Sequence, residues 1–439
     1  MSLFEADLGE GRQWSRVGEG YDLTKKPRGL DLSTYSAVPF AAMDAIPQGG
    51  AYLPDFTMKA PHLIASATYF ERGDVLVAKI TPSFENGKQA LIRDLPTPFG
   101  YATTEIIPLH PRSKQHDPRL LFFYLLHPDV RHYVAERMEG STGRQRVPNR
   151  VLLELPIPAL NLHEQAVIAD ALEMIQQARS AEMACERAAQ DLKRAAMRAL
   201  FTRGLRGEAQ KETEIGPVPE SWDFVEFGTL REWLQYGTST RCTYDPTEFP
   251  VLRIPNVEPG RVNAQDLKFG ALSPEEATRY RLEAGDLIFI RTNGVIERLG
   301  ACAVYAGEPS GALFASYLIR ARLKKDRIDP HFAAYFYGSD LGTSIVAGRA
   351  TPAADGKYNL NTGTIDSLPL PLPPTLEEQR DIAAILDAID RKIDLHRRKR
   401  AVLDDLFKAL LHKLMTGEIR VADLDLSALA SQPAAEAAA

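Results

Sequence analysis

One long helical pattern occurs twice in this chain. The first copy begins LPIPALNLHEQAVIADALEMI at Leu155, and the second begins LPLPPTLEEQRDIAAILDAID at Leu370. From the Glu-Gln pair at Glu164 onward, the two copies align without a gap at an offset of 214 positions. A shared stretch of this length without an insertion indicates an internal repeat. The repeat therefore constrains the fold more than any single motif does.

Both copies carry the signals of a helix start and of a coiled-coil seam. Asn161 and Thr375 offer N-caps, and Glu164 or Glu378 follows three residues later, which is the capping-box spacing. Apolar residues then recur at 3-4 spacing, which is typical of paired helices. The alternative is one amphipathic helix per domain, packed on its own core. At 1.5 Å per residue, each helix would be on the order of 57 Å long. This length exceeds the diameter of a domain of ordinary size, so we favour the pair.

Composition excludes several classes of protein. The chain has 439 residues, of which 44% are hydrophobic and 25% charged, as in soluble globular proteins of about two or three domains. It contains no apolar run of membrane length and no signal-peptide pattern at its start. Three scattered cysteines fit a reducing cytoplasm rather than a disulfide framework or a zinc site. The net charge of −6 still permits local basic faces that bind DNA.

The segments between the helices are also duplicated, with more divergence. Gly73 opens GDVLVAKIT and Gly285 opens GDLIFIRTN, 212 positions later. The Asp-Pro pairs at Asp117 and Asp329 repeat this offset, and each opens a helical pattern. The predicted order is a first block at 1–154, a first long helix at 155–203, a linker at 204–220, a second block at 221–369, a second long helix at 370–417 and a disordered tail at 418–439.

The duplication has a geometric consequence. If the two long helices pack side by side and antiparallel, the repeat becomes a pseudo-two-fold axis through the middle of the pair. The two blocks then lie at opposite ends and face opposite ways. This arrangement suits the reading of two half-sites on duplex DNA at a fixed spacing.

With this layout the chain resembles the specificity subunits of type I restriction–modification enzymes. The resemblance covers nearly all of the chain. It rests on the order of blocks and helices, on the LPIP or LPLP to EQ signature (Leu155–Gln165 and Leu370–Gln379), and on GPVPESW at Gly216–Trp222. It implies an α+β fold, mixed α/β, with two target recognition domains joined by two long antiparallel coiled-coil helices. The first block departs from the pattern, since it lacks the Pro-Glu-x-Trp opening.

The resemblance also implies a role and partners. It implies a cytoplasmic, non-catalytic subunit that binds double-stranded DNA, two DNA methyltransferase subunits and motor–nuclease subunits. S-adenosylmethionine, ATP and Mg²⁺ would then act in the partner subunits, with no cofactor and no metal in this chain. The sequence agrees, because it contains no phosphate-binding loop, no Asn/Asp-Pro-Pro-aromatic motif and no Cys/His set with metal-ligand spacing.

Two loops per block are candidates for DNA contact. Lys79 and Arg291 each stand six residues after the Gly of the Gly-Asp pair, where an apolar strand enters a polar loop. Lys or Arg with Asn and Thr beside it can donate to guanine and phosphate. The alternative is that these loops are only solvated strand connections. The candidates in these two loops are Lys79, Thr81, Asn86, Lys88, Arg291, Thr292, Asn293 and Arg298.

The second candidate loop lies just before each long helix. It reads STGRQRVPNR in the first copy and GRATPAADGKYNLN in the second. Glycine and proline indicate a loop, and the first copy carries three arginines without an acidic residue. The candidates in these loops are Arg144, Arg146, Arg150, Arg349, Lys357, Asn359 and Asn361.

The apolar 3-4 pattern fails in the middle of both long helices. The first helix has Arg179, Glu182 and Glu186 at seam positions, and the second has Ile393, His396 and Arg400 at the equivalent places. We predict that Glu182 and Glu186 face His396 and Arg400 and so fix the register of the pair. The alternative is that the helices bow apart there and these groups are solvated.

Three other functions fit parts of the sequence. The chain can be a coiled-coil scaffold whose blocks bind proteins and make no DNA contact. It can instead be the specificity subunit of a type IIG-like system with a fused nuclease–methyltransferase. An enzyme with a new type of active site is the third, although the sequence shows no catalytic set. Salt-dependent, sequence-selective DNA binding separates the DNA-binding functions from the scaffold.

Overall fold

A computed structural model describes residues 13–49, 54–64, 66–141, 143–244, 246 and 249–424. The chain divides into two compact units. The first unit is Met1–Met183 with Arg397–Ala439, and the second is Ala184–His396. Within the described part of the chain, no helix is both long and apolar enough to cross a membrane.

The two long helices are Leu162–Arg203 and Leu376–Thr416, and each contributes one half to each unit. The predicted starts at residues 155 and 370 are too early. Pro156–Pro158 instead pairs as an antiparallel strand with Trp14–Arg16, and Pro369–Leu372 pairs with Asp223–Glu226. Proline lacks the N–H that a helix interior needs, so these Pro-rich segments favour edge strands.

The first unit contains two four-stranded sheets. One has the strand order Tyr21–Leu23, Ile106–Pro111, Val75–Ala78, Gln89–Leu91, and the other has the order Thr57–Lys59, Val38–Ala41, Phe99–Ala102, Thr68–Glu71. The shorter helices of this unit are Val17–Gly20, Pro118–Tyr124, Pro128–Ala135 and Asn149–Leu153.

The second unit repeats the central strands Val75–Ala78 and Ile106–Pro111 as Leu287–Ile290 and Leu318–Leu323, 212 positions later, within a larger set of sheets. Its six-stranded sheet has the order Arg231–Tyr236, Leu318–Leu323, Leu287–Ile290, Cys302–Val304, Gly260–Val262, Val257–Glu258. Its four-stranded sheet has the order Cys242–Thr243, Lys268–Gly270, Pro250–Leu252, Leu313–Phe314, and a three-stranded sheet joins Thr292–Asn293, Tyr358–Asn359 and Thr351–Pro352. The shorter helices are Pro274–Tyr280, Pro330–Tyr337, Asp340–Gly348 and Thr362–Asp366.

The long helices pair antiparallel inside each unit, as predicted. In the first unit, Leu172 from the first helix shares a core with Leu411 from the second helix. In the second unit, Phe201 and Leu386 share a core with the fully buried Trp222. Seam residues such as Leu172 and Leu386 are thus buried, and burial of apolar surface stabilises the paired helices. These observations confirm the mixed fold with two long antiparallel helices.

A buried glutamine fixes each block to its long helix. The Gln165 side-chain oxygen accepts the backbone N–H of Asp117 at 2.8 Å, and Gln379 accepts that of Asp329 at the same distance. The Gln165 amide also donates to the carbonyls of Gln115 and Leu160, and the Gln379 amide donates to the carbonyl of Arg327. The Glu-Gln signature therefore has a structural reason, since the glutamine satisfies polar groups at the start of the Asp-Pro helix.

Two predicted segments differ in the structure. The linker at 204–220 contains a β-hairpin, in which Gln210–Thr213 pairs with Gly216–Pro219. The predicted disordered tail is wrong for residues 418–424, because Val421–Asp423 forms a 3₁₀ helix and Leu424 packs against the core of the first unit. Residues 425–439 lie outside the described residues.

Candidate nucleic-acid interface

Lys79 and Arg291 occupy the same place in the duplicated sheets. Each follows directly after the central strand that the Gly-Asp pair opens. The Lys79 N–H donates to the carbonyl of Glu105 at 2.9 Å, and the Arg291 N–H donates to the carbonyl of Tyr317 at 3.0 Å. Glu105 and Tyr317 were not among the predicted residues, since a backbone bond between distant strands leaves no local pattern in the sequence.

The structure brings the two candidate loops of each unit together. In the first unit, the Val147 N–H donates to the carbonyl of Lys79 at 2.7 Å. In the second unit, the Leu360 N–H donates to the carbonyl of Arg291 at 2.7 Å, and the neighbouring residues form the three-stranded sheet. The two loops that the sequence presents separately therefore form one surface per unit.

In the first unit, carboxylates lie beside the candidate cations. Arg146 donates from Nε and Nη2 to the two carboxylate oxygens of Glu105 at 2.9 and 2.8 Å. This hydrogen bond holds the pKa of Glu105 below its ordinary value. Arg150 donates to Glu139 at 2.8 Å. The positive charge of this loop is thus partly compensated, and the arginine side chains are held in place.

The remaining candidates of the first unit have different surroundings. The Lys88 ammonium donates to the main-chain carbonyl of Met43 at 2.8 Å, so it holds a loop. The Thr81 hydroxyl donates to Glu85 at 2.9 Å. Asn86 and Arg144 are exposed, and the described residues offer the Arg144 guanidinium no hydrogen-bond or ion-pair partner. Arg144 is therefore available to a ligand.

In the second unit, aromatic side chains accompany the cations. The Arg291 guanidinium lies 4.8 Å from the centroid of the Tyr236 ring. Thr292, Asn293 and Asn359 lie in the three-stranded sheet, and Asn361 caps the helix Thr362–Asp366.

Three further candidate cations lie in the second unit. Arg349 pairs with Glu214 at 3.2 Å and Lys357 pairs with Asp355 at 2.7 Å. Arg298 is exposed, without a side-chain partner among the described residues. Of the three, Arg298 is therefore the one that a phosphate can reach without displacing a carboxylate.

A cleft of about 470 Å³ adjoins this surface in the second unit. Tyr317 is 56% exposed at its edge, and Tyr244, close by, is 65% exposed with the Lys268 ammonium 4.5 Å from its ring centroid. The lining includes Thr240, Arg241, Arg253, Lys268, Ser316 and Tyr317. Sequence reasoning missed these residues, although tyrosines inside polar loops were a signal for them.

The predicted register residues lie in the middle of the long helices, where the two units divide. Within the first unit, the Lys399 ammonium lies 3.7 Å from Glu182, and Lys399 was not among the predicted partners. Within the second unit, Glu186 and His396 are both buried, and Glu186 accepts from Gln190 at 3.3 Å. The facing of Glu182 and Glu186 with His396 and Arg400 stays a prediction.

Other ion pairs tie the helices together. Arg179 pairs with Asp404 at 2.5 Å in the first unit, and Lys193 pairs with Asp390 at 2.7 Å in the second. In both cases the first helix supplies the cation and the second supplies the carboxylate.

One cluster has the residue types of a metal site. His127, Asp129 and His412 of the first unit place ligand atoms within 4.8 Å of one another. The Asp129 N–H donates to Nδ1 of His127, which places the ring proton on Nε2, facing Nδ1 of His412 at 3.1 Å. Burial lowers the pKa of His127 to about 4. His127 thus serves as the N-cap of the helix Pro128–Ala135, and both of its ring nitrogens already have hydrogen-bond partners within the chain.

Comparison with known proteins agrees with this description. Residues 219–405 match the family model of the type I restriction modification DNA specificity domain. The chain is 30% identical over 207 residues to the protein assigned as the MjaX type I restriction enzyme specificity subunit of Methanocaldococcus jannaschii, covering 47% of this chain and 48% of that protein. It is 28% identical over 278 residues to the EcoKI specificity subunit of Escherichia coli, covering 61% and 58%. The matches thus span between about half and three fifths of these relatives.

Solved structures share the fold. The S subunit of a type I restriction–modification system from M. genitalium superposes with a TM-score of 0.56 at 16% identity, over 94% of this chain and 99% of that one. A chain from a structure on the assembly and conformational transition of the type I system gives 0.51 at 18% identity, over 94% and 100%. The family model and the relatives show that the chain is similar to specificity subunits of type I restriction–modification systems, and the solved structures show the same fold.

Proposed function

We propose that this chain is the DNA-recognition subunit of a type I restriction–modification system. We further propose that each unit reads one half of a bipartite DNA target. The observation that carries the proposal is the duplicated surface around Lys79 and Arg291. In both units the same two loops meet there through the same backbone bonds. Duplication of a surface, with different side chains on each copy, suits a protein that reads two different half-sites.

The side chains on these surfaces suit DNA. Arginine donates to guanine acceptors, and Asn and Thr donate to bases or phosphates. The exposed Arg144 and Arg298 suit phosphate contacts, which position a protein on the duplex without reading sequence. The compensated Arg146, and Arg291 beside the Tyr236 ring, suit contacts with base edges.

The long helices would set the distance between the half-sites and bind the partner subunits. Val402 and Leu406 lie one turn apart on the second helix and are 66% and 43% exposed, which supports an apolar docking surface for a protein. We propose two methyltransferase subunits and motor–nuclease subunits as partners. S-adenosylmethionine, ATP and Mg²⁺ would act in those subunits, and this chain would supply recognition alone.

The test is reconstitution with the methyltransferase partner. The complex should direct adenine N6 methylation to a split DNA target, mapped by sequencing of modified bases, and its binding should weaken steeply with salt. The purified chain alone should turn over no S-adenosylmethionine. Turnover by the isolated chain would overturn the recognition-only role, and sequence-independent methylation by the complex would favour the scaffold function.

A further inference from the structure

One position of the duplicated fold carries different chemistry in the two units. Glu105 and Tyr317 lie 212 positions apart, and their carbonyls accept the equivalent bonds from Lys79 and Arg291. The backbone therefore places both side chains at the same corner of the loop pair. A position with a preserved backbone bond and a changed side chain points to a task that differs between the units.

In the first unit, Glu105 orients Arg146. Both carboxylate oxygens are occupied, one by Nε–H and one by an Nη2–H of the guanidinium. A guanidinium has five N–H donors in a planar fork, so Nη1 and the second Nη2 hydrogen form a free fork on the far side. The Arg146 side chain is 52% exposed and the Glu105 side chain 23% exposed, so the arginine is the more accessible partner.

We propose that Arg146, oriented by Glu105, reads a guanine in the half-site of the first unit, and that Tyr317 contacts the corresponding base of the other half-site. This inference rests on the proposed DNA-binding function. Guanine presents O6 and N7 in the major groove at the spacing of an arginine fork. The exposed ring of Tyr317 offers an apolar face instead, which suits the methyl group of thymine.

A phosphate contact is the competing role for Arg146. A carboxylate with both oxygens bound to the same guanidinium would repel an approaching phosphate and would reduce the attraction of the positive charge for it. For contact with a base edge, the same carboxylate is an advantage. It fixes the plane of the Arg146 guanidinium and does not attract the DNA backbone. The geometry therefore favours guanine over phosphate, and Glu105 is a positioning residue.

The experiment selects binding sites from a randomised DNA duplex library with the full chain in complex with its methyltransferase partner. R146K keeps the charge and removes the fork, so the guanine preference at one position of one half-site should fall on the order of tenfold to a hundredfold. E105A should reduce the preference at the same position. R72K, in an exposed pair with Asp94 away from this surface, is the matched control and should change nothing.

The second unit is tested in the same selection. Y317A should change the preference at one position of the other half-site, and Y317F should keep it because the ring remains. An unchanged guanine preference in R146K overturns the inference. So does loss of the whole first half-site, or a wild-type target without guanine in either half. In each of these cases, the proposed function still holds if the wild-type complex selects a bipartite target. If the wild-type complex selects no DNA sequence from the library, the proposed function is refuted.

Discussion

The buried carboxylate after the Gly-Asp turn has a histidine partner in one unit and an arginine partner in the other. Asp74 Oδ1 lies 2.6 Å from His110 Nδ1, and Asp286 accepts from Arg322 Nε at 2.9 Å. Both carboxylates also accept the backbone N–H of the residue three positions earlier at 2.8 Å. The backbone hydrogen bond is present in both units, whereas the side-chain partner differs. At this site, therefore, the two units differ in a side chain while the backbone arrangement is the same.

The starts of the long helices differ in the same way. Glu164 accepts the N–H of its N-cap Asn161 at 3.0 Å and so completes the predicted capping box. Glu378 accepts instead from the indole of the buried Trp222 at 3.2 Å. The first block lacks the Pro-Glu-x-Trp opening, and its glutamate is accordingly turned back to the helix.

Each block is also held to its helix by its own ion pairs. In the first unit, Arg93 and Arg119 donate to Glu173 at 2.5 and 3.2 Å. In the second unit, Arg261 donates to Asp394, which lies two turns further along the equivalent helix. A block and the beginning of its helix are therefore one functional piece, and an exchange of blocks must respect this boundary.

The largest difference between the units should come from removal of the buried carboxylate. In Asp286→Ala, the 5% exposed side chain of Arg320, 3.6 Å from that carboxylate, keeps its charge, because arginine does not deprotonate in proteins. We expect a loss of about 3–5 kcal/mol in the free energy of unfolding. In Asp74→Ala, His110 can give up its proton, so we expect a loss of about 1–3 kcal/mol.

Native-state hydrogen exchange in the strands Val75–Ala78 and Leu287–Ile290 measures the two units separately. Asp94→Ala removes an exposed pair with Arg72 and is the control, with an expected change within about 0.5 kcal/mol. Equal losses of unfolding free energy in Asp74→Ala and Asp286→Ala would contradict this explanation. They would show that the loss does not depend on whether the partner side chain can give up its proton.

A smaller difference should appear with pH. The hydrogen bond to Asp74 raises the pKa of His110 above its ordinary value of 6.5. The protonated histidine therefore stabilises the first unit below pH 6.5, and this stability is lost as pH rises through the raised pKa. We expect at most about 1 kcal/mol, since the imidazole is 40% exposed and solvent screens the pair.

The measurement is the opening free energy of the first unit from pH 6 to pH 9. His110→Arg copies the partner of the second unit and should remove the dependence. The second unit, in which Arg322 stays charged, should show no matching loss in the wild type. A dependence that persists in His110→Arg would assign it to another group.

The sequence predicted what repeats at a fixed offset and what is local. The paired helices, the Asp-Pro helix starts and the capping box at Asn161 follow from spacing alone. The helix start at Leu162 did not, because the preceding proline-rich strand pairs with residues 140 to 144 positions earlier. A proline-rich segment before a helical pattern is compatible with either the start of the helix or an edge strand. Only the position of its partner strand decides between them.

The candidate surface was predicted in parts. The loops around Lys79 and Arg146 were both selected, and their union through backbone bonds was not, since distant strand contacts leave no local pattern. Glu105 and Tyr317 were missed for the same reason. His127 and His412 are in contact although they lie 285 positions apart in the sequence. Motifs with short metal-ligand spacing could not have predicted this contact.

The most direct test of the account is an exchange of the first block that keeps its helix contacts. Residues 1–175, which include Arg93, Arg119 and Glu173, are replaced by the equivalent segment of another specificity subunit, and the target is mapped with the methyltransferase partner. We predict that one half-site changes to that of the donor, while the other half-site stays unchanged. Simultaneous change of both half-sites would contradict the claim that the two units read DNA independently.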